Sequence, residues 1–306
     1  MRFVDALITL PTMSKLGENI VNKAAVLPPF LILDRLLENW LLEDIGRGDR
    51  TTQALISPGT RQAVWIAKET GVIAGLPIAA RVFYLLNAST VFTPLVEEGE
   101  AVEKGQTIAQ IQGAYDALLT GERVALNLAM RLSGIATMTR QYVEKIEDLP
   151  AQLVDTRKTT PGLRVLEKYA TQVGGAMNHR MGLDDAVMLK DNHIVAAGGI
   201  GNAIAQVRAQ IPYPLTVEVE TENLEMVQEA LEHGADIIML DNMPLEMMSQ
   251  AVKMIRSTNE RIKIEASGNV TLATLRAIAE TGVDFISSSA PITRSTWLDL
   301  SMKIKL

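Results

Sequence analysis

The chain has 306 residues, 47% of them hydrophobic and 21% charged, which is typical of a globular protein that buries a substantial core. Its net charge of −7 and its aromatic content of 4% argue against nucleic-acid binding, which needs a broad positive surface or stacking side chains. Because there are no cysteines, disulfides, thiolate nucleophiles and thiolate metal ligands are excluded. Any anionic ligand would therefore need a pocket in which the cations are concentrated.

The N-terminal residues are interpreted as an extension, over residues 1–28, that is closed by Pro28 and Pro29. The start, MRFVDALITL, has an aspartate within what would be the apolar core of a signal peptide, so we expect no export signal. Uncharged apolar runs are all too short to span a membrane. We therefore expect a cytoplasmic protein without membrane partners.

The first half of the chain predicts helices on either side of a region of strands. Residues 30–40, FLILDRLLENW, repeat apolar residues at helical spacing, and Gly46 and Gly48 then predict a sharp turn. From Ala63 to Thr107, short apolar runs alternate with glycine and proline, as in strands joined by turns. Residues 120–146 again show helical periodicity, and we expect this long helix to bridge two domains.

The second half, after residue 150, contains short apolar runs that each end in polar or charged residues. Most are separated by amphipathic stretches, and the later runs are roughly two dozen residues apart, the length of one strand-plus-helix unit. Continuous apolar runs are typical of buried parallel strands. We predict an α/β barrel, complete or open, with six or seven strands, and a flat doubly wound sheet is the main alternative. Both folds bind ligands at the carboxyl ends of their strands.

Chemically active side chains recur at these predicted strand ends. They are Asp155, Arg157 and Lys158, then Asn178, His179 and Arg180, then Lys190 to His193, then Glu218 and Glu220, then Asp241 and Asn242, then Glu265 and Ser267 to Asn269, and finally Ser287 to Ser289. One half of this set is cationic, and the other half consists of carboxylates and small hydrogen-bonding groups. A site for a dianion beside a metal-bound polyphosphate and a sugar would need this division.

Ordinary explanations exist for each of these groups alone. Glu218 and Glu220 lie two apart on a strand and so share a face, which shared solvent exposure explains as well as ligand binding does. A histidine in a turn is more often a structural hydrogen-bonding residue, and Lys190 could be a surface lysine or could pair with Asp191. Independent surface charges, however, would not be expected to recur at successive strand ends.

The sequence strongly resembles the quinolinate phosphoribosyltransferase family, also called carboxylating nicotinate-nucleotide pyrophosphorylase. The resemblance rests on DTRKTTPGLRVLEKYA, GGAMNHRMGLDDAVMLKDNHI, VEVET, MLDNM and EASGNV. It implies an α/β fold with an N-terminal α/β sandwich domain over residues 29–132, joined by residues 291–306, and an open, incomplete α/β barrel over residues 133–290. It also implies a reaction of de novo NAD biosynthesis. Quinolinate and phosphoribosyl pyrophosphate give nicotinate mononucleotide, pyrophosphate and carbon dioxide.

The resemblance further implies roles for individual residues and a homodimer, or a larger homo-oligomer, whose active sites are shared between subunits. Arg123, in GERVALN, would reach across the interface to the substrate carboxylates. The dicarboxylate pocket would be completed by Arg157, His179, Arg180 and Lys190. Lys158 would face substrate or pyrophosphate. The carbon that loses its carboxylate would receive a proton from Lys158, Lys190 or a water.

The remaining implied roles concern the phosphoribosyl group and its Mg²⁺ cofactor. Glu220 and Asp241 would hold the ribose hydroxyls and the Mg²⁺-bound diphosphate, directly or through water. The 5′-phosphate would be bound by the loop of Ser267, Gly268 and Asn269. Family members commonly have a glycine in the last strand-end loop, where this chain reads SSSAPITRS and has Ser289. Ser288 and Ser289 are still implied to contact phosphate, because a serine N–H can meet a phosphate, although its Cβ limits close approach.

Three other functions stay open at this level. The first is a related phosphoribosyltransferase, nicotinate-specific or molybdenum-associated, although several converging cations favour two substrate carboxylates over one. The second is a barrel lyase that uses Lys190 as a Schiff-base nucleophile. The third is a carrier module, because LVEEGEAVEKGQTIAQIQG resembles biotinyl and lipoyl domains, yet it lacks a lysine in a carrier-type turn.

Overall fold

A computed structural model describes residues 25–55 and 58–305 of the chain. Most of the predicted N-terminal extension, residues 1–24, lies outside the described residues. The remaining part of it contributes Ala25 and Leu27, which pack against the core of the N-terminal half.

Among the described residues, the N-terminal half contains four helices and five strands. They are α1 (Phe30–Ile45), α2 (Arg50–Leu55), β1 (Thr60–Ala67), β2 (Gly71–Val72), α3 (Leu76–Leu86), β3 (Val91–Pro94), β4 (Ala101–Val102), β5 (Thr107–Ala114) and α4 (Tyr115–Glu144). The C-terminal half alternates strands and helices. They are β6 (Gln152–Val154), α5 (Arg164–Val173), β7 (Val187–Leu189), α6 (Asp191–Ala197), α7 (Ile200–Arg208), β8 (Val217–Thr221), α8 (Leu224–Glu232), β9 (Ile237–Asp241), α9 (Leu245–Thr258), β10 (Lys263–Ser267), α10 (Leu275–Ala279), β11 (Phe285–Ser287), α11 (Ala290–Thr293) and β12 (Leu300–Lys305).

The N-terminal sheet has the strand order β12-β1-β5-β3, and its described pairs are antiparallel. The last strand of the chain thus returns to this sheet, with Ala67 opposite Leu300 and Gln62 opposite Lys305. Helices α1, α3 and α4 contribute to the same core, in which Trp65 of β1 lies fully buried. Because helices cover one face of this antiparallel sheet, buried and more exposed positions alternate along its strands, as they do in β5.

Helix α3 is where the sequence prediction of this region is wrong. The apolar run LPIAARVFYLL was interpreted as part of the strands and turns between Ala63 and Thr107, but it forms one helix. Its proline lies in the first turn, where no intrahelical N–H is needed, so it starts the helix rather than breaking it. Ile78, Val82 and Phe83 lie on the buried side, at helical spacing.

Helix α4 connects the two halves. Its first two thirds supply buried residues such as Leu118 and Leu132 to the N-terminal core, and Tyr142 near its end belongs to the second core. It is 30 residues long, but within the described part of the chain no helix combines the length and the hydrophobicity that crossing a membrane requires.

The second half forms a six-stranded parallel sheet in the order β6-β11-β10-β9-β8-β7. From β7 to β11 each strand pairs with the next strand along the chain, and β11 then pairs with β6, the first. Met177 adds a single parallel bridge on the other side of β6, at Val154. A doubly wound sheet would instead reverse its strand order at a switch point, so the open barrel is confirmed and the flat sheet is wrong.

Candidate active site

An open pocket of about 700 Å³ lies at the carboxyl ends of the barrel strands. It brings together twelve of the thirteen binding and catalytic residues predicted from the sequence: Arg157, Lys158, His179, Arg180, Lys190, Glu220, Asp241, Ser267, Gly268, Asn269, Ser288 and Ser289. The exception is Arg123. Other predicted strand-end residues do not line the pocket: Asp155, Asn178, Asp191, Asn192, His193 and Glu218.

Cationic, acidic and small polar pocket residues lie at the ends of different barrel strands. The cations follow β6, Met177 and β7, the carboxylates Glu220 and Asp241 end β8 and β9, and small polar loops follow β10 and β11. Because the ring order follows the chain order, neighbouring runs of the sequence become neighbouring walls of the pocket. The pocket therefore has a cationic wall next to an acidic wall.

Arg157 lies in the loop after β6, and Arg164 of α5 holds this loop through hydrogen bonds. The Arg164 guanidinium donates to Thr159 Oγ1 at 3.1 Å and to the Met181 carbonyl at 3.1 Å, so it joins both cationic loops. Glu167, also on α5, accepts hydrogen bonds from the N–H and the hydroxyl of Thr160. Within this fixed loop, Arg157 Nε is buried and has no hydrogen-bond partner in the described residues. Such a donor is costly unless a ligand satisfies it.

Beneath the loops lies a buried ion pair between Asp155 and Lys168. Asp155 also accepts hydrogen bonds from the backbone N–H of His179 at 2.9 Å and from the Asn178 side-chain amide at 2.6 Å. Burial raises the pKa of Asp155 and lowers that of Lys168, and the attraction between the two charges opposes both shifts. The pair thus ties the end of β6 to α5 and to the His179 loop without facing the ligand.

His179 lies between two buried carboxylates. Its Nε2 is 3.2 Å from Glu218 Oε2 and 3.4 Å from Glu265 Oε2, and its Nδ1 accepts a hydrogen bond from the Arg180 N–H at 2.7 Å. The interpretation that solvent exposure explains Glu218 is therefore wrong, because the inner face of β8 points into the barrel, and the side chain is only 2% exposed. In the described residues these three side chains form the only group of three or more that lie close enough to hold a metal ion.

The imidazole and the two carboxylates affect each other's pKa. Burial alone lowers the pKa of His179, but the hydrogen bonds to Glu218 and Glu265 outweigh it and raise the pKa to about 10. Burial also raises the pKa of Glu218. A proton on Nε2 is therefore favoured, because both carboxylates face that nitrogen.

The Lys190 ammonium pairs with Glu220 across the boundary between the cationic and the acidic wall. The suggested pairing of Lys190 with Asp191 is wrong, since Asp191 starts α6 and accepts a hydrogen bond from the neighbouring Asn192 N–H. Asp241 accepts a hydrogen bond from the Asn242 amide at 2.7 Å.

The turns that follow β9 and β10 are hydrogen-bonded to each other. Asn242 and Asn269 have φ angles of 53° and 50°, and Gly268 has a φ of 94°. The Asn242 N–H donates to the Ser267 carbonyl at 2.9 Å, and the Asn269 amide donates to Asn242 Oδ1 at 3.0 Å. Asparagine and glycine adopt this left-handed conformation more readily than other residues, so both turns depend on these residue types.

The loop after β11 is held by hydrogen bonds of Ser288. The Ser288 N–H donates to the Val154 carbonyl at 3.0 Å, and its Oγ accepts the Ala290 N–H at 3.2 Å. The backbone N–H of Ser288 is thus already used, and only its hydroxyl hydrogen is left to donate. The strand-end pattern did not single out seven further pocket residues, which are Thr156, Met188, Met239, Val270, Ala290, Thr293 and Arg294. Arg294 lies five residues beyond Ser289, in a stretch with no distinctive pattern.

Arg123 lies elsewhere, exposed on α4. It lines a second cavity of about 440 Å³ together with Trp40, Asn127, Thr160 and Trp297. Within one chain, therefore, Arg123 does not reach the pocket at the strand ends.

Comparison with known proteins gives matches over most of the chain. The family described as quinolinate phosphoribosyl transferase matches with its N-terminal domain over residues 49–133 and with its C-terminal domain over residues 135–303. A protein of Synechocystis sp. named probable nicotinate-nucleotide pyrophosphorylase (carboxylating) is 65% identical over 278 residues, which cover 91% of this chain and 94% of that protein. A Bacillus subtilis protein of the same name is 44% identical over 276 residues, with coverage of 90% and 94%. The crystal structure of NadC from Streptococcus pyogenes has a TM-score of 0.87 and 44% identity, and covers 92% of this chain and 99% of that one.

Proposed function

Because this chain belongs to the quinolinate phosphoribosyltransferase family, we propose that it transfers phosphoribose from phosphoribosyl pyrophosphate to quinolinate. The products are nicotinate mononucleotide, pyrophosphate and carbon dioxide, in NAD biosynthesis. The observation that carries the proposal is the cationic wall, in which Arg157 Nε, buried without a hydrogen-bond partner among the described residues, lies beside Arg180 and Lys190. In a net-acidic protein, this concentration of cations in one pocket favours an anionic ligand.

Substrate binding rests on the planar guanidinium groups. Arg157 and Arg180 suit the two adjacent carboxylates of quinolinate, because an arginine can bind a carboxylate through two parallel hydrogen bonds. Neighbouring Arg157 and burial both lower the pKa of Arg180, with burial the larger cause, so the two guanidinium groups already repel each other when no ligand is bound. A dianion between them removes that repulsion.

Ribosyl transfer forms a bond from the pyridine nitrogen to the sugar C1 while the bond from C1 to the pyrophosphate oxygen breaks. The pocket residues must align the pyridine nitrogen with that carbon and stabilise the positive charge that develops on the sugar ring. Glu220 and Asp241 are adjacent, half-exposed carboxylates that suit the ribose hydroxyls.

The same two carboxylates fit a Mg²⁺ ion that arrives with the diphosphate. Mg²⁺ prefers oxygen ligands and commonly binds through one or two protein carboxylates plus substrate phosphates. When bound, it would neutralise charge on the departing pyrophosphate. Glu220 would supply an oxygen only after it separates from Lys190, with which it is paired in the structure.

Decarboxylation follows from the positive charge on the alkylated ring nitrogen. The bond from the ring carbon to its carboxylate breaks, and the electron pair that remains on the carbon is stabilised by the adjacent cation. A proton then completes the product, and Lys158, Lys190 and a water stay the candidate donors. The Schiff-base alternative is disfavoured, since Lys190 Nζ is paired with Glu220 and is not free to attack a carbonyl carbon.

The decisive experiment mixes the purified protein with quinolinate, phosphoribosyl pyrophosphate and Mg²⁺. We expect nicotinate mononucleotide and carbon dioxide to appear in equal amounts, and the reaction to stop when the metal is chelated. Nicotinate in place of quinolinate should react poorly. If nicotinate mononucleotide forms faster from nicotinate, with no carbon dioxide, the enzyme is the nicotinate-specific relative and the proposal is wrong.

The close packing around Gly268 predicts how a substitution there affects binding of phosphoribosyl pyrophosphate. A Cβ atom on Gly268 would lie 2.1 Å from Asn242 Oδ1, so Gly268→Ala must open the turn in which we place the 5′-phosphate. We expect the KM for phosphoribosyl pyrophosphate to rise about tenfold or more, and the KM for quinolinate much less. Gly282→Ala is the matched control, because Gly282 has nearly the same φ, 93°, but precedes β11 at the opposite end of the barrel. Equal effects of both variants would argue against a phosphate subsite at Gly268.

We also propose that two copies of the chain share their active sites. Support comes from Arg123, which lies outside the pocket, and from apolar side chains exposed on α1 and near the C-terminus, among them Leu31, Leu42 and Trp297. A two-fold interface would place the same surface of each copy against the other, so each Arg123 could complete the partner's pocket. The cytoplasmic location expected from the sequence stays a prediction.

Shared sites predict complementation between two inactive variants. Arg123→Ala and Arg157→Ala should each be nearly inactive, and their equimolar mixture should recover about one quarter of wild-type activity after subunit exchange. Half of the exchanged dimers are mixed, and each mixed dimer has one site with both arginines. Activity of the mixture that stays at the level of the separate variants, after exchange has been verified by native mass spectrometry, would contradict the shared site.

A further inference from the structure

One side of the pocket, formed by β8 to β11 and the loops after them, contains several carboxylates and one cation. Glu220, Asp241 and Glu265 lie on β8 to β10, and small neutral residues follow β10 and β11. Among the described pocket residues of this side, Arg294 is the only one with a positive charge. A phosphate monoester carries a charge of about −1.5 to −2 at neutral pH. Without Arg294, a 5′-phosphate bound on this side would meet only carboxylates and neutral groups of the chain.

The loop after β11 offers a phosphate few backbone donors. The Ser288 N–H is used by the Val154 carbonyl, at 3.0 Å. Ser289 has φ −86° and ψ −13°, an ordinary right-handed conformation, so a side chain is tolerated there without strain. Its Cβ, however, limits how closely a phosphate can approach the backbone. A phosphate held at this greater distance is within reach of a long side chain rather than of the loop itself.

The backbone around Arg294 is fixed, whereas its side chain is free. The Arg294 N–H donates to the Ala290 carbonyl at 3.0 Å. On either side of it, the Arg131 guanidinium donates to the Ile292 carbonyl at 2.8 Å and to Ser295 Oγ at 3.0 Å. Arg131 is itself held in an ion pair with a fully buried carboxylate of α5. Arg294 is exposed, and its guanidinium has no hydrogen-bond or ion-pair partner among the described residues, so its donors are available to an anionic ligand.

The guanidinium charge lies on the side of the pocket where β10 ends. Burial raises the pKa of the Tyr142 hydroxyl, and the positive charge of Arg294 and the backbone of Leu272 both act to lower it. Leu272 lies three residues beyond Asn269, so the hydroxyl that Arg294 influences is next to the turn after β10. That turn is the one in which the 5′-phosphate is placed.

We propose that Arg294 binds the 5′-phosphate of phosphoribosyl pyrophosphate, together with the loop of Ser267, Gly268 and Asn269. The planar guanidinium can bind two phosphate oxygens through parallel hydrogen bonds. Its charge offsets the nearby carboxylates and takes over from the backbone donors that the serine loop does not offer. This inference rests on the proposed function, because it takes the phosphate to be that of a phosphoribosyl group.

Binding of nicotinate mononucleotide and of nicotinate riboside tests this role, because the two differ only in the 5′-phosphate. For Arg294→Ala, isothermal titration calorimetry should show a Kd for the mononucleotide that is about 10- to 100-fold higher than in wild type. The Kd for the riboside should change less than about twofold. Arg294→Lys keeps the charge but not the planar fork, so its Kd for the mononucleotide should lie between those of wild type and Arg294→Ala. Arg261→Ala is the matched control, because Arg261 is exposed just before β10, at the opposite end of the barrel, and it should leave both values unchanged.

Three results would overturn the inference. An unchanged Kd for the mononucleotide in Arg294→Ala would mean that Arg294 does not contact the phosphate. Equal weakening of mononucleotide and riboside would mean that the substitution disturbs the pocket as a whole. Weaker binding of Mg²⁺-pyrophosphate with normal binding of the mononucleotide would place Arg294 at the leaving group instead.

Kinetics separate this inference from the proposed function. If wild-type enzyme makes no nicotinate mononucleotide, the proposed function fails, and ribose 5-phosphate compared with ribose still tests whether Arg294 binds a phosphate monoester. If wild-type enzyme is active, Arg294→Ala should raise the KM for phosphoribosyl pyrophosphate about tenfold or more and the KM for quinolinate less than about twofold. Active wild-type enzyme with an unchanged KM for phosphoribosyl pyrophosphate in Arg294→Ala would refute the role of Arg294 alone.

Discussion

Arg157→Ala is expected to lower kcat/KM for quinolinate by about 30-fold to several thousand-fold, which corresponds to a loss of about 2–5 kcal/mol of binding in a closed site. The reason is that Arg157 is fixed before the ligand arrives. Its carbonyl accepts from the Arg164 guanidinium, and its Nε is buried without a partner in the described residues. Truncation leaves a substrate carboxylate without its partner and does not disturb any ion pair described for the protein.

Two further variants separate charge from shape. Arg157→Lys keeps the charge but not the planar fork, so we expect an activity between those of wild type and Arg157→Ala. Arg261→Ala is the control for loss of an arginine in general, because Arg261 is exposed just before β10, at the opposite end of the barrel. Steady-state rates at varied quinolinate, with thermal unfolding to verify the fold, check the prediction. A change of less than about threefold for Arg157→Ala would mean that Arg157 does not hold a substrate carboxylate.

Lys168→Met is expected to lower the free energy of unfolding by about 3–5 kcal/mol, because it leaves Asp155 charged and buried without its cation. Lys168 and Asp155 have side-chain exposures of 0% and 1%, so water cannot replace the lost partner. Methionine fills a similar volume, which keeps the cavity term small. Chemical denaturation with urea measures the loss.

An exposed lysine provides the comparison for this variant. Lys253 lies on the outer side of α9, and Lys253→Met should change the free energy of unfolding by less than about 0.5 kcal/mol. Because Asp155 also accepts the His179 N–H, the fraction of Lys168→Met that folds should bind quinolinate more weakly than wild type. A stability within about 1 kcal/mol of wild type would contradict the role of the buried pair.

Much of the site could be predicted from the sequence, because strand ends can be read locally. A buried parallel strand is a continuous apolar run, and the residue that follows it must lie at one edge of the sheet. That rule alone placed Arg157, Lys190 and Asp241 at a common edge, and the structure brings them into one pocket. The open barrel could be expected but not chosen over a flat sheet, since the repeat of strands and helices is the same in both.

The tertiary structure decided everything that depends on contact between distant segments. Pairing of β11 with β6 places the last barrel strand beside the first, and pairing of β12 with β1 returns the end of the chain to the first sheet. Lys190, which follows β7, pairs with Glu220 on the neighbouring strand β8 rather than with its sequence neighbour Asp191. Local periodicity records only which positions are buried, so it contains no information on these partners.

The sequence by itself therefore determined which chemical groups this protein has and at which edge of the barrel they lie. Only the fold determined how they are used. It buries Glu218 and Glu265 against His179, and it leaves Arg123 on a separate surface. The physical reason is that a side chain's charge is a property of the residue, whereas its exposure and its hydrogen-bond partners depend on segments far away along the chain.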